Sequence, residues 1–224
     1  MGIEAILFDK DGTLFDFQAT WSGFAAEAIH AFPGVAPERV AAALGFDMEA
    51  GRFRPDAAFV SGTAEQTATR LSHETGVPMP EIRDRFDAIG RDTRQVPVAG
   101  VERALTELAP RPLGIATNDA EASARAHLER HGIAHHFGFV AGYDTGHGAK
   151  PGPGQLLEFA RRTGVTPERI AMVGDSTHDL DAARAAGMVA VAVLTGTAVE
   201  AILAPRADVV LPDVTHLPRW IETR

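Results

Sequence analysis

The stretch Ile3 to Thr13 reads IEAILFDKDGT, and it decides the fold. From Ile3 to Phe8 the residues are apolar except for Glu4, and the polar turn Asp9-Lys10-Asp11-Gly12-Thr13 follows at once. A short apolar run closed by turn residues reads as a buried strand. Runs of the same kind recur at Leu113–Ala116, Phe137–Val140, Ile170–Val173, Val189–Val193 and Val209–Leu211. Between and after them the apolar period becomes helical, at Val101–Leu108, Ala120–His131, Gly154–Thr163, His178–Ala186, Ala198–Leu203 and Leu217–Ile221. Short apolar strands alternating with amphipathic helices predict an α/β fold, a doubly wound, Rossmann-like parallel sheet covered on both faces. The first strand must join that sheet, so the long interval after it is an insertion. That interval has helical period from Gln18 to about Ala31, Pro37 to about Leu44, Ala64 to about Thr75 and Pro80 to about Thr93, with Thr63 and Gln66 spaced as a capping box and Gly76 as a stop. The expectation is a core of residues 1–15 and 97–224 and an all-helical insertion at 16–96.

Composition narrows the function. The 224 residues are 45% hydrophobic, enough for a sizeable core, and 30 acidic against 21 basic residues give a charge of −9 with no basic stripe. Nucleic acid and membrane surfaces are therefore poor partners. The chain has no cysteine, which removes disulfides, thiolate metal sites and cysteine nucleophiles together. The apolar run before Asp9 is too short and too acidic for a signal peptide, and no stretch approaches the roughly 18 apolar residues of a membrane span, so a cytoplasmic location is expected. Of the 21 basic residues only Lys10 and Lys150 are lysines, and both lie in chemically suggestive segments.

In a doubly wound sheet the ligand sits outside the carboxyl ends of the strands. The residues there are Asp9 to Thr13 after the first strand, Thr117-Asn118-Asp119 after Leu113–Ala116, and Gly174-Asp175-Ser176-Thr177-His178-Asp179 after Ile170–Val173, with Lys150-Pro151 ahead of the Gly154 helix. Converging carboxylates of Asp9, Asp11, Asp175 and Asp179 repel one another and call for a cation, and an all-oxygen site that also admits a phosphate favours Mg²⁺. Thr117 and the backbone N–H groups after it, including that of Asn118, suit phosphoryl oxygens, and Lys150 neutralises carboxylate and phosphate. Asp9 and Asp11, two apart, point the same way in extended backbone, so one carboxyl can attack while the other handles the proton.

These four motifs, in this order and at these intervals, resemble those of the haloacid dehalogenase-like hydrolases, over roughly residues 1–15 and 97–224. The resemblance implies Asp9 as nucleophile forming an aspartyl-phosphate, Asp11 as acid and then base, and Mg²⁺ bound by Asp9, the Asp11 main-chain carbonyl and Asp175 with Asp179 beside it. It also implies that the insertion is the helical cap of small-molecule phosphatases, whose residues set the substrate. The second carboxylate, Asp11, argues for phosphate ester chemistry and against carbon–halogen cleavage, because a halide leaves without a proton. A Mg²⁺-dependent phosphatase acting on a small phosphate ester is the expected function. A phosphomutase shares every core residue, a receiver-like signalling domain has no use for Asp11 or the cap, and a non-catalytic scaffold has no need of the complete motif set.

Other residues are weaker candidates. Lys10, between two inward carboxylates, should point the other way, in a charge-balancing or substrate-contacting role. Asp119 reads as a helix cap. His127 and His131, with His135 and His136 beyond, lack an acidic partner in sequence for a zinc site and read as a solvated helix face, while His147 and His178 share loops with Lys150 and Asp175. Phe17 and Trp21 read as core. Arg52 and Arg54, around Phe53 in the stretch Gly51–Pro55, suit a substrate carboxylate as well as ordinary surface salt bridges.

Overall fold

The computed structural model describes residues 2–55 and 57–223. The chain divides into two compact units, Met1–Asp16 with Pro97–Arg224, and Phe17–Val96. In chain order the elements are β1 (Ala5–Phe8), then α1 (Phe17–Ile29), α2 (Pro37–Leu44), β2 (Phe46–Asp47), β3 (Arg52–Phe53), α3 (Ala58–Ser61), α4 (Ala64–Thr75) and α5 (Met79–Asp92). They continue with α6 (Val101–Glu107), β4 (Leu113–Ala116), α7 (Glu121–Arg130), β5 (Phe137–Ala141), α8 (Gly154–Thr163), β6 (Ile170–Gly174), α9 (Thr177–Ala186), β7 (Val189–Val193), α10 (Glu200–Leu203), β8 (Val209–Leu211) and α11 (Leu217–Glu222).

The first unit is a parallel sheet in the order β5-β4-β1-β6-β7-β8. From β1 the chain winds outward through β4 and β5, then returns to the other side of β1 and winds through β6, β7 and β8. The strand order therefore reverses at β1, which puts the switch-point crevice at its carboxyl end. Phe8, the last residue of β1, lies in register with Ile115 on one side and Val173 on the other. All four side chains of β1 are buried because successive residues feed two cores. Ile6 and Phe8 pack with Val101 and Leu105 of α6 and Leu128 of α7, whereas Ala5 and Leu7 pack with Leu156 and Phe159 of α8 and Leu180 of α9. That double burial explains why the run shows no polar alternation, and truncating Phe8 to Ala would cost about 3–5 kcal/mol.

The inserted unit is built on aromatic rings. Phe17, Phe24, Phe32, Phe46 and Phe53 are buried together, with Phe53 stacked on Phe59 at 4.9 Å between centroids and edge-on to Phe17 at 5.4 Å. Thr63 and Gln66 form the expected capping box, with hydrogen bonds of 3.2 and 2.8 Å, and Gly76 ends α4 in the left-handed conformation. The unit is helical except where β2 and β3 pair as an antiparallel hairpin, Phe46 opposite Phe53. The Gln18 side chain grips Phe53 from both ends, donating to its carbonyl at 2.9 Å and accepting from its N–H at 3.0 Å. Strands of two residues are too short to show a period, so the sequence reads as a loop there. Among the described residues no helix is long and apolar enough to cross a membrane.

Candidate active site

Asp9 leaves β1 at the switch point, its N–H bonded to the Val173 carbonyl at 2.8 Å. The chain then turns sharply: the Lys10 carbonyl accepts from Leu14 N–H at 3.0 Å, and Gly12 adopts φ +85°, where a side chain would be strained. Gly12 is also needed for space, since a Cβ there would overlap the Asp175 carboxylate. Gly196, in the loop after β7, also approaches Asp175, so closely that its Cβ would lie 2.6 Å from that of Asp175. The hydroxyl of Thr195 ties this loop to the Gly12 carbonyl at 2.6 Å.

Asp175 is one of three clustered carboxylates. Asp9, Asp175 and Asp179 are 7%, 2% and 1% exposed, and an oxygen from each falls within 4.8 Å of the others. The Lys150 ammonium donates to Asp9 Oδ1 at 2.7 Å, to Asp179 Oδ1 at 2.6 Å and to the Ala116 carbonyl at 2.7 Å. Asp179 is held at the start of α9, where its Oδ2 accepts from the N–H and the hydroxyl of Ser176 at 3.0 and 2.7 Å. Asp175 Oδ2 is buried with no hydrogen-bond partner.

The electrostatics follow from burial. Desolvation pushes the Asp9 carboxyl up to about 7, Lys150 pulls against it, and Asp179 adds to the rise. Asp175 is raised well above the usual carboxylate range by burial and then by Asp179 and Asp9. Lys150 keeps its charge, because Asp179 and Asp9 outweigh the burial that opposes it. One ammonium among three buried carboxylates leaves negative charge uncompensated. An orphaned carboxylate oxygen beside two further carboxylates is the donor set of a hard divalent cation, and Mg²⁺ fits it. Among the described residues these three acids are the single grouping able to hold a metal.

Thr117 is buried at the end of β4, its hydroxyl accepting from Asp119 N–H at 3.1 Å and its carbonyl held by Gln155 at 3.1 Å. The Asn118 side chain pairs with the Lys150 backbone in both directions, accepting at 2.9 Å and donating at 3.0 Å. It thereby fixes the segment from which the Lys150 ammonium reaches Asp9, a link that sequence spacing does not reveal. Asp119 lies one residue before the N-cap of α7 and accepts from Ala120 N–H at 2.7 Å.

Three expectations change. Lys10 does not turn away from its neighbours: its fully buried ammonium ion-pairs with Asp11 and with Asp119 at 3.4 Å, and meets His127 Nδ1 at 3.1 Å. The α7 histidine face is not solvated, since the His127 side chain is 14% exposed beside Lys10 and the ring of His131 lies 5.1 Å from that of Phe15. Burial, and then Lys10, push His127 down to about 4, so it is neutral near pH 7. Finally, Arg52 and Arg54 do not enclose Phe53. In the inserted unit Phe53 turns into the aromatic core, and the two arginines, one residue to either side, are exposed.

Residues 3–187 match the model of the haloacid dehalogenase-like hydrolases. The chain is 30% identical to a phosphoglycolate phosphatase of Chromobacterium violaceum over 96% of this chain and 95% of that one. It is 29% identical to a phosphoglycolate phosphatase of Escherichia coli, over 96% and 91%. The crystal structure of a predicted phosphoglycolate phosphatase from Haemophilus somnus superposes with a TM-score of 0.75 at 19% identity, covering 97% of each chain.

Proposed function

The chain belongs to the haloacid dehalogenase-like hydrolases, and we propose that it is a Mg²⁺-dependent phosphatase that hydrolyses a small, acidic phosphate monoester through an aspartyl-phosphate on Asp9. Family membership and similarity to phosphoglycolate phosphatases along nearly the whole chain make it a phosphatase. The observation that carries the mechanism is the buried cluster of Asp9, Asp175 and Asp179 around one lysine, with an unpartnered oxygen on Asp175.

An Asp9 oxygen attacks phosphorus, forming an O–P bond as the ester P–O bond breaks. Asp11 gives its proton to the departing alkoxide. Water then attacks the same phosphorus and loses a proton to Asp11, and the O–P bond to Asp9 breaks, restoring both residues. Lys150 neutralises charge on Asp9 and on the phosphoryl group, and Thr117 with the N–H groups after it binds the remaining oxygens. Asp9, the Asp11 main-chain carbonyl and Asp175, with Asp179 alongside, would hold Mg²⁺. When bound, it supplies positive charge against the acids and the phosphoryl oxygens.

In this reading residues 1–15 and 97–224 are the catalytic core and 16–96 the cap, with Arg52 or Arg54 contacting the substrate carboxylate. The exposure of both arginines supports it, as does their place in and just after the second strand of the hairpin. The test is phosphate release from a set of small esters with Mg²⁺, 2-phosphoglycolate, sugar phosphates and nucleotides among them. Release from 2-phosphoglycolate without a bisphosphate primer supports the proposal. A strict primer requirement with an isomerised sugar phosphate as product would establish a mutase instead.

A further inference from the structure

The two lysines divide the two aspartates of the β1 loop between them. Lys150 is spent on Asp9 and Asp179, whereas the Lys10 ammonium faces three acceptors of its own: Asp11 Oδ2, Asp119 Oδ2 at 3.4 Å and His127 Nδ1 at 3.1 Å. An ammonium carries N–H donors and no acceptor, so the His127 nitrogen facing it is the unprotonated one; Asp11 and His127 take hydrogen bonds, and Asp119 stands within ion-pair distance. Two of those acceptors are themselves anchored. Asp119 is fixed by Ala120 N–H and by the Ser123 hydroxyl, each at 2.7 Å, and His127 is on α7 two turns beyond. A chain that uses arginine at 19 of 21 basic positions keeps lysine at this fully buried point, where a compact ammonium suits three convergent acceptors better than a planar guanidinium fork.

We propose that Lys10 is a positioning residue which, braced by Asp119 and His127, holds the Asp11 carboxyl in the place from which it exchanges protons with the ester oxygen. The inference rests on the assignment of Asp11 as the proton-transfer group, and the test separates the two. Rapid quench would measure the first, phosphoryl-transfer step for 4-nitrophenyl phosphate, whose leaving group needs little protonation, and for an alkyl phosphate, whose leaving group needs a proton.

In Asp11→Asn the alkyl ester should suffer far more than the aryl ester. If both fall alike, the Asp11 assignment fails and the proposal fails with it. Where Asp11→Asn does discriminate, Lys10→Met should follow the same pattern more weakly. The aryl step should stay within about threefold of wild type while the alkyl step falls by about 30-fold or more, as expected of a displaced catalytic group. Equal losses, or no loss, in Lys10→Met overturn the proposal and leave the Asp11 assignment standing. Should Lys10→Met not fold, the His127 pair decides. Asn places an amide oxygen near the position of Nδ1, so His127→Asn should keep more of the wild-type aryl-to-alkyl ratio than His127→Leu. Identical ratios in the two variants overturn the proposal.

Discussion

Replacing Lys150 with Met removes one positive charge and keeps the length of the side chain. In the native site Lys150, 4% exposed, touches with its ammonium Asp9 and Asp179, which are 7% and 1% exposed. Breaking a buried pair from one side leaves uncompensated charge and costs about 3–5 kcal/mol. At about 2–4 °C per kcal/mol for a chain of this size, the melting temperature should fall by about 6–20 °C in chelator. The loss has a pH signature. A carboxyl whose folded pKa is raised binds its proton more tightly folded than unfolded, so its contribution declines as pH rises from the ordinary carboxylate range, near 4, through the folded value, about 7 for Asp9. Without Lys150 that folded value rises further, so the deficit is larger at pH 8.5 than at pH 5.5, and Mg²⁺ should recover part of it. Each unit has one tryptophan, Trp21 in the insertion and Trp220 beside the sheet, so a Trp21→Phe background lets Trp220 fluorescence follow the sheet unit alone. A deficit below about 2 °C, or one independent of pH, would refute the claim that Lys150 offsets buried negative charge.

Three further outcomes follow from the same geometry. Gly196→Ala forces a methyl against Asp175, so overpacking of about 1–3 kcal/mol should appear together with weakened Mg²⁺ activation; an unaltered Mg²⁺ dependence would show that this close approach does not fix Asp175. His127, lowered to about 4 from an ordinary 6.5, contributes nothing to pH dependence above about 7 and destabilises the fold as pH falls from 6.5 through 4, by at most about 3 kcal/mol; denaturation curves of His127→Asn should lack that part of the acid slope. Arg52→Ala or Arg54→Ala should cost about 1.5–3 kcal/mol in kcat/KM for an acidic ester and leave neutral aryl-phosphate turnover nearly unchanged, whereas equal losses would make the hairpin purely structural.

Much of the sheet unit can be read from sequence because burial on both faces leaves nothing but apolar residues in its strands. β4, β7 and β8 begin and end where the apolar runs do, and α8 matches its helical period end to end. Illegible features are of two physical kinds. The β2–β3 hairpin pairs two residues with two, less than one period of alternation, and is held by a side chain far away in sequence, Gln18. The connections inside the site are likewise long-range: Asn118 to the Lys150 backbone, Thr195 to Gly12, and Lys10 to Asp119 and His127. Which residues face the crevice follows from their being next to strand ends; which of them brace one another depends on packing that no local pattern encodes. Lys10 illustrates the limit, since alternation predicts a side chain directed away from Asp9 and Asp11, whereas four methylenes let its ammonium pair with Asp11.

The central claim is that Asp9 carries the phosphoryl group. Acid quench of a single turnover with a ³²P-labelled ester, followed by proteolysis, tests it most directly. Label should appear on the peptide containing Asp9, be lost to hydroxylamine as an acyl phosphate is, and be missing in Asp9→Asn, which should also be inactive. Label on a histidine-bearing peptide, or turnover that persists in Asp9→Asn, would contradict the account.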